Sequence, residues 1–320
     1  MKVSGNYKME KRNILVTGGA GYIGSILVNY LLEAGHYVTV IDNFMFKQSS
    51  LNQYCNHNNF QVEKGDIRIH GTLAKHLKTA EIVIPLAALV GAPLCDADPV
   101  NAHTTNKISP LAMLKELSQE QIVIMPTTNS FYGTARMGVC TEETPTNPIS
   151  SYAKDKLDVE NKLKEHSNFI SYRLATVFGM SPRMRTDLLV NDFVYRAVKD
   201  SAVVLFESSF KRNYIHVRDV CRAFLHAINN YDSMKNQVYN VGLSDANLSK
   251  KQLTDKIKEH LPEFVVVEKS FKKDKDQRNY IVSNQKLEST GFEPLYGLDF
   301  GIQELIKGYE MISNNKYGNI

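Results

Sequence analysis

Short apolar runs alternate with stretches of helical spacing through the first half of the chain. Asn13–Thr17 reads Asn-Ile-Leu-Val-Thr, a strand apolar on both faces, and residues 24–34 then set Ile26, Leu27, Tyr30 and Leu31 along one side of a helix. Further strands are expected at Tyr37–Ile41, Phe60–Glu63, Glu81–Leu86, Ile122–Met125 and Asn168–Leu174. Continuous apolar strands separated by helices predict an α/β fold with a doubly wound parallel sheet, both faces covered.

Beyond Gly179 the rhythm changes. Residues 180–185 are irregular, 188–198 helical, 203–206 and 213–217 strand-like; a helix then runs to about Ile228, followed by a strand at 237–241 and a helix at 250–260. This predicts a short N-terminal extension (1–12), a main α/β domain (13–179) and a smaller lobe (180–320). The lobe is expected to be discontinuous, with segments near 213–242 returning to the main sheet.

Composition narrows the class. At 320 residues and 43% hydrophobic content the chain can bury a full core. Its 38 basic and 34 acidic residues leave a formal charge of +4, too small and dispersed to argue for nucleic acid. The basic cluster Lys269, Lys272, Lys273 and Lys275 is interleaved with Asp274 and Asp276 and reads as a solvated loop. Cys55, Cys95, Cys140 and Cys221 stand far apart without metal-ligand spacing, the pattern of reduced thiols in a cytoplasmic protein. No apolar stretch suits a membrane span or a signal peptide.

Thr17-Gly18-Gly19-Ala20-Gly21-Tyr22-Ile23-Gly24 follows a strand and opens a helix, the context in which a glycine fingerprint carries meaning. Gly18 suits a tight turn, Gly21 a close approach of backbone to a pyrophosphate, and Gly24 close helix packing. Asp42 and Asn43 end the second strand, where a carboxylate grips ribose hydroxyls and repels a 2′-phosphate. No arginine occurs between Arg12 and Arg68, which favours NAD over NADP, with Lys47 the cation that weighs the other way. Asp66 and Ile67 follow the third strand as candidates for the adenine.

Tyr152 and Lys156 stand four apart in Ser-Ser-Tyr-Ala-Lys, on one face of an expected helix. A phenol titrating near 10 needs about 3 to 4 kcal/mol of help to ionise near neutrality, within reach of a fixed cation.

With these pieces aligned, the chain resembles the extended short-chain dehydrogenase/reductase family, in its NAD-dependent nucleotide-sugar epimerase and dehydratase group, with a Rossmann domain. Gly18, Gly21 and Gly24 match the family loop; Leu86 precedes an Ala87-Ala88 pair; Asn106 matches the family's helical Asn. Thr128 falls at the catalytic Ser/Thr position, four residues before Tyr132-Gly133, and completes a triad with Tyr152 and Lys156. The resemblance implies a nucleotide-diphosphate sugar as substrate, Arg212 and Arg278 on its phosphates, and a homodimer. Ser130, Thr176, Arg183 and Arg185 are further substrate candidates, the last two at the entrance to the second lobe.

Departures from the family pattern matter as much. Dehydratases follow the catalytic Thr with an Asp-Glu pair, where this chain has Asn129 and Ser130. Decarboxylases tend to carry a Glu there and 3,5-epimerases a Cys, so all three activities are disfavoured. Thr176 replaces the usual substrate-contacting Asn, and Pro85 a His. The run Leu188–Phe193 resembles bacterial enzymes that oxidise GDP-heptose at C4 in surface-polysaccharide synthesis. The resemblance therefore implies oxidation of a sugar carbon, C4 foremost, as an epimerase; net 4-dehydrogenation, reduction of a non-nucleotide carbonyl and a non-catalytic dinucleotide-binding role are the alternatives.

Overall fold

The computed structural model describes residues 10–269 and 278–312. Residues 1–9 of the expected extension lie outside them, as do Lys272, Lys273, Asp274, Lys275 and Asp276 of the basic cluster. Strands of the first half are β1 (Asn13–Thr17), β2 (Tyr37–Asp42), β3 (Phe60–Lys64), β4 (Ile82–Pro85), β5 (Ile122–Thr128), β6 (Thr134–Cys140), β7 (Phe169–Leu174) and β8 (Thr176–Phe178). The remainder are β9 (Ala202–Phe206), β10 (Lys211–His216), β11 (Gln237–Val241), β12 (Asn247–Ser249), β13 (Val265–Lys269) and β14 (Asn279–Val282).

Seven of them form one parallel sheet in the order β3-β2-β1-β4-β5-β7-β11. Side chains alternate across it, and the alternation divides the core in two. Ile14, Val16, Val38, Val40, Ile82 and Ile84 face one layer, packed with Ile26, Leu27 and Leu31 of the Gly24–Glu33 helix and Val220 and Phe224 of the Val217–Asn229 helix. Leu15, Val83, Val123 and Met125 face the other, against Met113 of the Ser109–Glu116 helix and Val159 and Leu163 of the Ser151–Leu163 helix. Chain direction of growth reverses between β1 and β4, so a crevice opens at the carboxyl ends of those strands.

Of the segments between 213 and 242, β11 joins the main sheet beside β7. In contrast, β10 pairs with β8 in parallel and β12 antiparallel, in a separate three-stranded sheet. Two further parallel pairs, β13 with β9 and β14 with β6, complete the second lobe.

A buried ion pair locks the helix of Tyr152 to the sheet. Arg173 on β7 donates through Nη2 to Glu160 Oε1 at 2.7 Å, both side chains being essentially inaccessible. Thr127 and Ser171 donate to Glu160 Oε2 at 3.0 and 2.9 Å. Burial pushes the Glu160 carboxyl up, but the arginine's hydrogen bonds more than offset it and the group lies below the usual carboxylate range. Arg173→Met should therefore cost about 3–5 kcal/mol by stranding a buried carboxylate. Adding Glu160→Gln should recover part of that loss in urea unfolding; a single variant within about 1 kcal/mol of the parent would show the pair to be dispensable.

Candidate active site

The turn after β1 is pressed against the chain leaving β4. Gly18 has φ +69°, and a Cβ there would sit 2.5 Å from the Ala87 nitrogen, so only glycine fits. Leu86 donates its N–H to Thr17 O at 2.9 Å, fixing Leu86, Ala87 and Ala88 beside the loop. At Gly21, by contrast, a Cβ would meet only Gly18 O within 4 Å, leaving that side open above the start of the Gly24–Glu33 helix, which Ile23 precedes.

Asp42 ends β2 with 8% exposure. Its Oδ2 accepts from Ala20 N at 3.0 Å and its Oδ1 from Phe44 N at 2.8 Å and Gln48 Nε2 at 3.3 Å. Burial raises its pKa against these donors. Asn43 donates to Asp66 at 3.2 Å, and Arg68 pairs with the same carboxylate, holding it down at about 2. Ile67 packs beneath, against the second core layer.

Two expected cofactor residues have their side chains engaged elsewhere. The Tyr22 hydroxyl donates to Gly179 O at 2.6 Å, tying the glycine loop to the second lobe. Asn106, in a π-helical turn (Thr104–Ile108), is fully buried and pairs with both backbone groups of Leu89, at 2.9 and 2.8 Å. It fixes the loop after β4, so any influence on a ligand acts through that loop.

Tyr152 and Lys156 lie one turn apart on the Ser151–Leu163 helix, which Ser150 caps by accepting from Ala153 N at 3.2 Å. Tyr152 packs on Leu89, Cys95 and Ala102. Burial holds its phenol up at about 12, and the charges that oppose this are Arg185 and Arg278. Lys156 is 3% exposed and forms no hydrogen bond or ion pair with another described residue; burial brings its ammonium down to about 8. In the ligand-free protein, burial thus opposes the charged form of both groups, holding the phenol up and the ammonium down.

Thr128 ends β5 and donates to Ser130 Oγ at 2.9 Å, which also accepts from Arg278 Nη1. Between them Asn129 is 1% exposed, with both amide atoms unpartnered among the described residues. Arg212 is buried on β10 with its guanidinium carbon 5.7 Å from the Tyr280 ring, two residues on from Arg278. Thr176 is half-buried on β8, in register with Tyr214.

The two arginines at the lobe entrance diverge. Arg185 pairs with Asp187 and donates to Val90 O at 3.3 Å, on the Tyr152 side. Arg183 instead lies over the Phe46 ring at 4.4 Å, on the Asp42 side. Sequence reasoning missed Asn191, whose amide accepts from Gly179 N at 3.0 Å and donates to Tyr22 Oη at 3.2 Å and Arg185 O at 2.8 Å. Only its place beside Leu188, Leu189, Val190 and Phe193 in a helical run marked it.

These features fit a dinucleotide: an open glycine turn at a helix start, a carboxylate at the end of β2 and a buried ammonium beside a phenol. Among the described residues no cluster of three metal-ligating side chains occurs, and no helix is long and apolar enough to cross a membrane.

Comparison with known proteins gives consistent findings. A sequence model of the NAD dependent epimerase/dehydratase family matches residues 14–242. The chain is 27% identical to the low-salt glycan biosynthesis protein Agl12 of Haloferax volcanii, over 93% of this chain and 98% of that one. It is 26% identical to a putative UDP-glucose 4-epimerase of Methanocaldococcus jannaschii, over 95% and 99%. Among solved structures, a UDP-glucose 4-epimerase of Thermotoga maritima with UDP-glucose superimposes with a TM-score of 0.79 at 27% identity, over 94% and 99% of the two chains.

The buried ammonium makes a stability prediction. Displacement of Lys156 from 10.5 to about 8 corresponds to about 3 kcal/mol, the cost of holding the charge at neutral pH. Because this pKa is depressed on folding, the parent protein gains stability as pH rises from about 8 toward 10.5. Lys156→Met should therefore stabilise the ligand-free protein at pH 7, with the advantage shrinking at pH 10. Denaturant midpoints at both values measure it; a destabilised variant at pH 7 would mean that the ammonium is satisfied.

Proposed function

The chain belongs to the NAD dependent epimerase/dehydratase family, and on that premise we propose that it oxidises a sugar carbon, C4, of a nucleotide-diphosphate sugar and acts as a nucleotide-sugar epimerase. The observation that carries this reading is Lys156. A buried ammonium without a hydrogen-bonding partner among the described residues shares a helix face with a phenol, at the mouth of a dinucleotide crevice. The resemblance to the putative UDP-glucose 4-epimerase of Methanocaldococcus jannaschii and to the UDP-glucose 4-epimerase of Thermotoga maritima supports the substrate class.

NAD, when bound, accepts hydride from the oxidised carbon. Tyr152 takes the proton of the sugar hydroxyl. Lys156 lies a turn away, where its positive charge stabilises the phenolate. Arg185 and Arg278 already oppose the burial that keeps the phenol protonated, and their charges act in the same direction. Thr128 turns its hydroxyl from Ser130 to the reacting oxygen. Gly18, Gly21 and Gly24 form the dinucleotide turn with Asp42 on its adenosine side, while Arg212 is the diphosphate candidate from the second lobe. Asn129 and Ser130 have no carboxylate with which to eliminate water, so the reaction stops at redox chemistry on the sugar.

A homodimer is part of the same reading. Val100 and Ile108 are 72% and 48% exposed on the helical segments beside the Ser151–Leu163 helix, to which Lys107 is bridged through Asp158 at 2.6 Å. Light scattering of the purified protein measures the assembly.

Tyr152→Phe should lower turnover by about 10² to 10⁴, the span typical of a positioned general base, with NAD binding retained. Purified protein and the variant are incubated with UDP-, GDP-, dTDP- and CDP-sugars, and products are read by mass and chromatography alongside NADH absorbance. A C4 epimer with no net NADH is the expected outcome. A 4-keto sugar with stoichiometric NADH would make the enzyme a net dehydrogenase; full turnover by the variant would remove Tyr152 from the mechanism.

A further inference from the structure

Arg183 comes from the second lobe, yet its neighbours belong to the cofactor half of the crevice. Its loop is tied down on the glycine-loop side. Ser181 donates to Tyr22 O at 2.7 Å and meets Ser25 Oγ at 3.0 Å, while Tyr22 and Asn191 hold Gly179. From that anchored loop Arg183 reaches the segment after β2, where its guanidinium stacks on Phe46 with 6% exposure and its charge is felt by Asp42.

The segment carrying Phe46 is itself fastened to the glycine turn. Ser50 donates to Ala20 O at 2.7 Å and Gln48 to Asp42 at 3.3 Å. Phe44 and Lys47 on either side take φ of +53°, an unfavourable conformation for non-glycine residues, closed by the Lys47 N–H to Phe44 O bond at 2.9 Å. Two loops that start on opposite sides of the crevice thus meet through one cation and one ring.

We propose that Arg183 and Phe46 form a clasp over the adenosine half of bound NAD, with Arg183 serving the cofactor's phosphates and not the substrate. The inference rests on the NAD reading of the crevice and adds a retaining element to it. Three physical points support it. The clasp stands beside Asp42, which feels the Arg183 charge, and the Phe46 segment is fastened to the glycine turn through Ser50 and Ala20. Burial and the charge of Arg185 both act against the Arg183 guanidinium, and although Asp187 and Asp42 oppose them and Nη1 donates to Met184 O, a phosphate beside it adds a further favourable charge. Finally, a cation stacked on a ring inside a desolvated site attracts more strongly than one in water, so opening this contact slows ligand exit.

The test measures release of the reduced cofactor, with no sugar present. Protein loaded with NADH is mixed with excess NAD, and the loss of bound-NADH fluorescence gives the dissociation rate for the parent, Arg183→Ala, Arg183→Lys and Phe46→Ala. The two alanine variants are expected to release NADH about 10-fold faster or more, equivalent to about 1.4 kcal/mol, with Arg183→Lys in between. Affinity for UDP or GDP, measured by calorimetry on the same preparations, should stay unchanged. Release by Arg183→Ala within about twofold of the parent would overturn the clasp, since tenfold corresponds to only one such contact. So would a loss of nucleotide-diphosphate affinity with unchanged NADH release, which would return Arg183 to the substrate. Phe46→Leu keeps the apolar volume and serves if an alanine variant fails to fold. A parent protein that binds no NADH would instead sink the cofactor reading itself.

Discussion

The arrangement of the candidate site depends on one buried ion pair. Glu160 stands one turn beyond Lys156 on the same helix, and Arg173 holds it from β7. The same arginine donates to Tyr132 Oη at 3.1 Å and to Glu142 O at 3.0 Å, and its guanidinium lies over the Phe131 and Tyr132 rings. Tyr132 in turn donates to Asn240 on β11 at 2.7 Å, and Asn240 to Ser283 O just beyond β14 at 3.1 Å. Through these contacts the helix of Tyr152, the turn after Thr128, two strands of the sheet and the strand following Arg278 share one polar core. A buried charge pair is weak evidence for stability, because desolvation offsets most of its attraction. Its geometric demand is strong, however, since every oxygen and nitrogen in it needs a specified partner.

A second set of contacts joins the lobes. Tyr22 and Asn191 clamp Gly179, and Glu304 of the Leu298–Met311 helix accepts from Met180 N at 2.8 Å and from Arg218 Nη2 at 2.7 Å. Hydrogen bonds from His216, Met180 and Arg218 outweigh burial and hold the Glu304 carboxyl down at about 2. The loop between Gly179 and Asp187 is thus fastened from both lobes, and it carries one arginine toward each end of the crevice.

Legibility in the sequence followed the kind of force involved. The inner strands of the main sheet were visible because burial on both faces demands continuous apolar runs, while the exposed edge strand β3 showed as the alternation Phe60-Gln61-Val62; the structure departs from the expected bounds by three residues at most. The small strands β6, β8, β12, β13 and β14 were not visible. β13, paired at the surface with β9, leaves Val265 and Val267 exposed, so no burial pattern marks it. The Leu298–Met311 helix was hidden by Gly301 and Gly308, which weaken a helical signal. Gly301 is there for packing: a Cβ would sit 2.2 Å from the Phe178 ring. Side-chain destinations were less legible still. Tyr22, Asn106 and Asp66 have the residue types a dinucleotide site wants, yet Gly179, Leu89 and Arg68 already engage them. Spacing in a sequence fixes where a side chain starts, and long-range partners decide where it ends.

That distinction bears most on Tyr152. The four-residue spacing sets the phenol and ammonium a turn apart on one helix, but it says nothing of the burial that both groups share. Desolvation acts on both groups in opposite directions: it favours the neutral phenol and the neutral amine. The same burial that would make the pair responsive to an entering charge keeps each one reluctant to carry its own. On the proposed reading, ionisation of Tyr152 is therefore coupled to occupancy. The fixed cations Arg185 and Arg278 oppose the burial, and the positively charged form of the cofactor adds to them. A site built in this way holds its base protonated until the crevice is filled, which ties proton removal to the presence of the hydride acceptor.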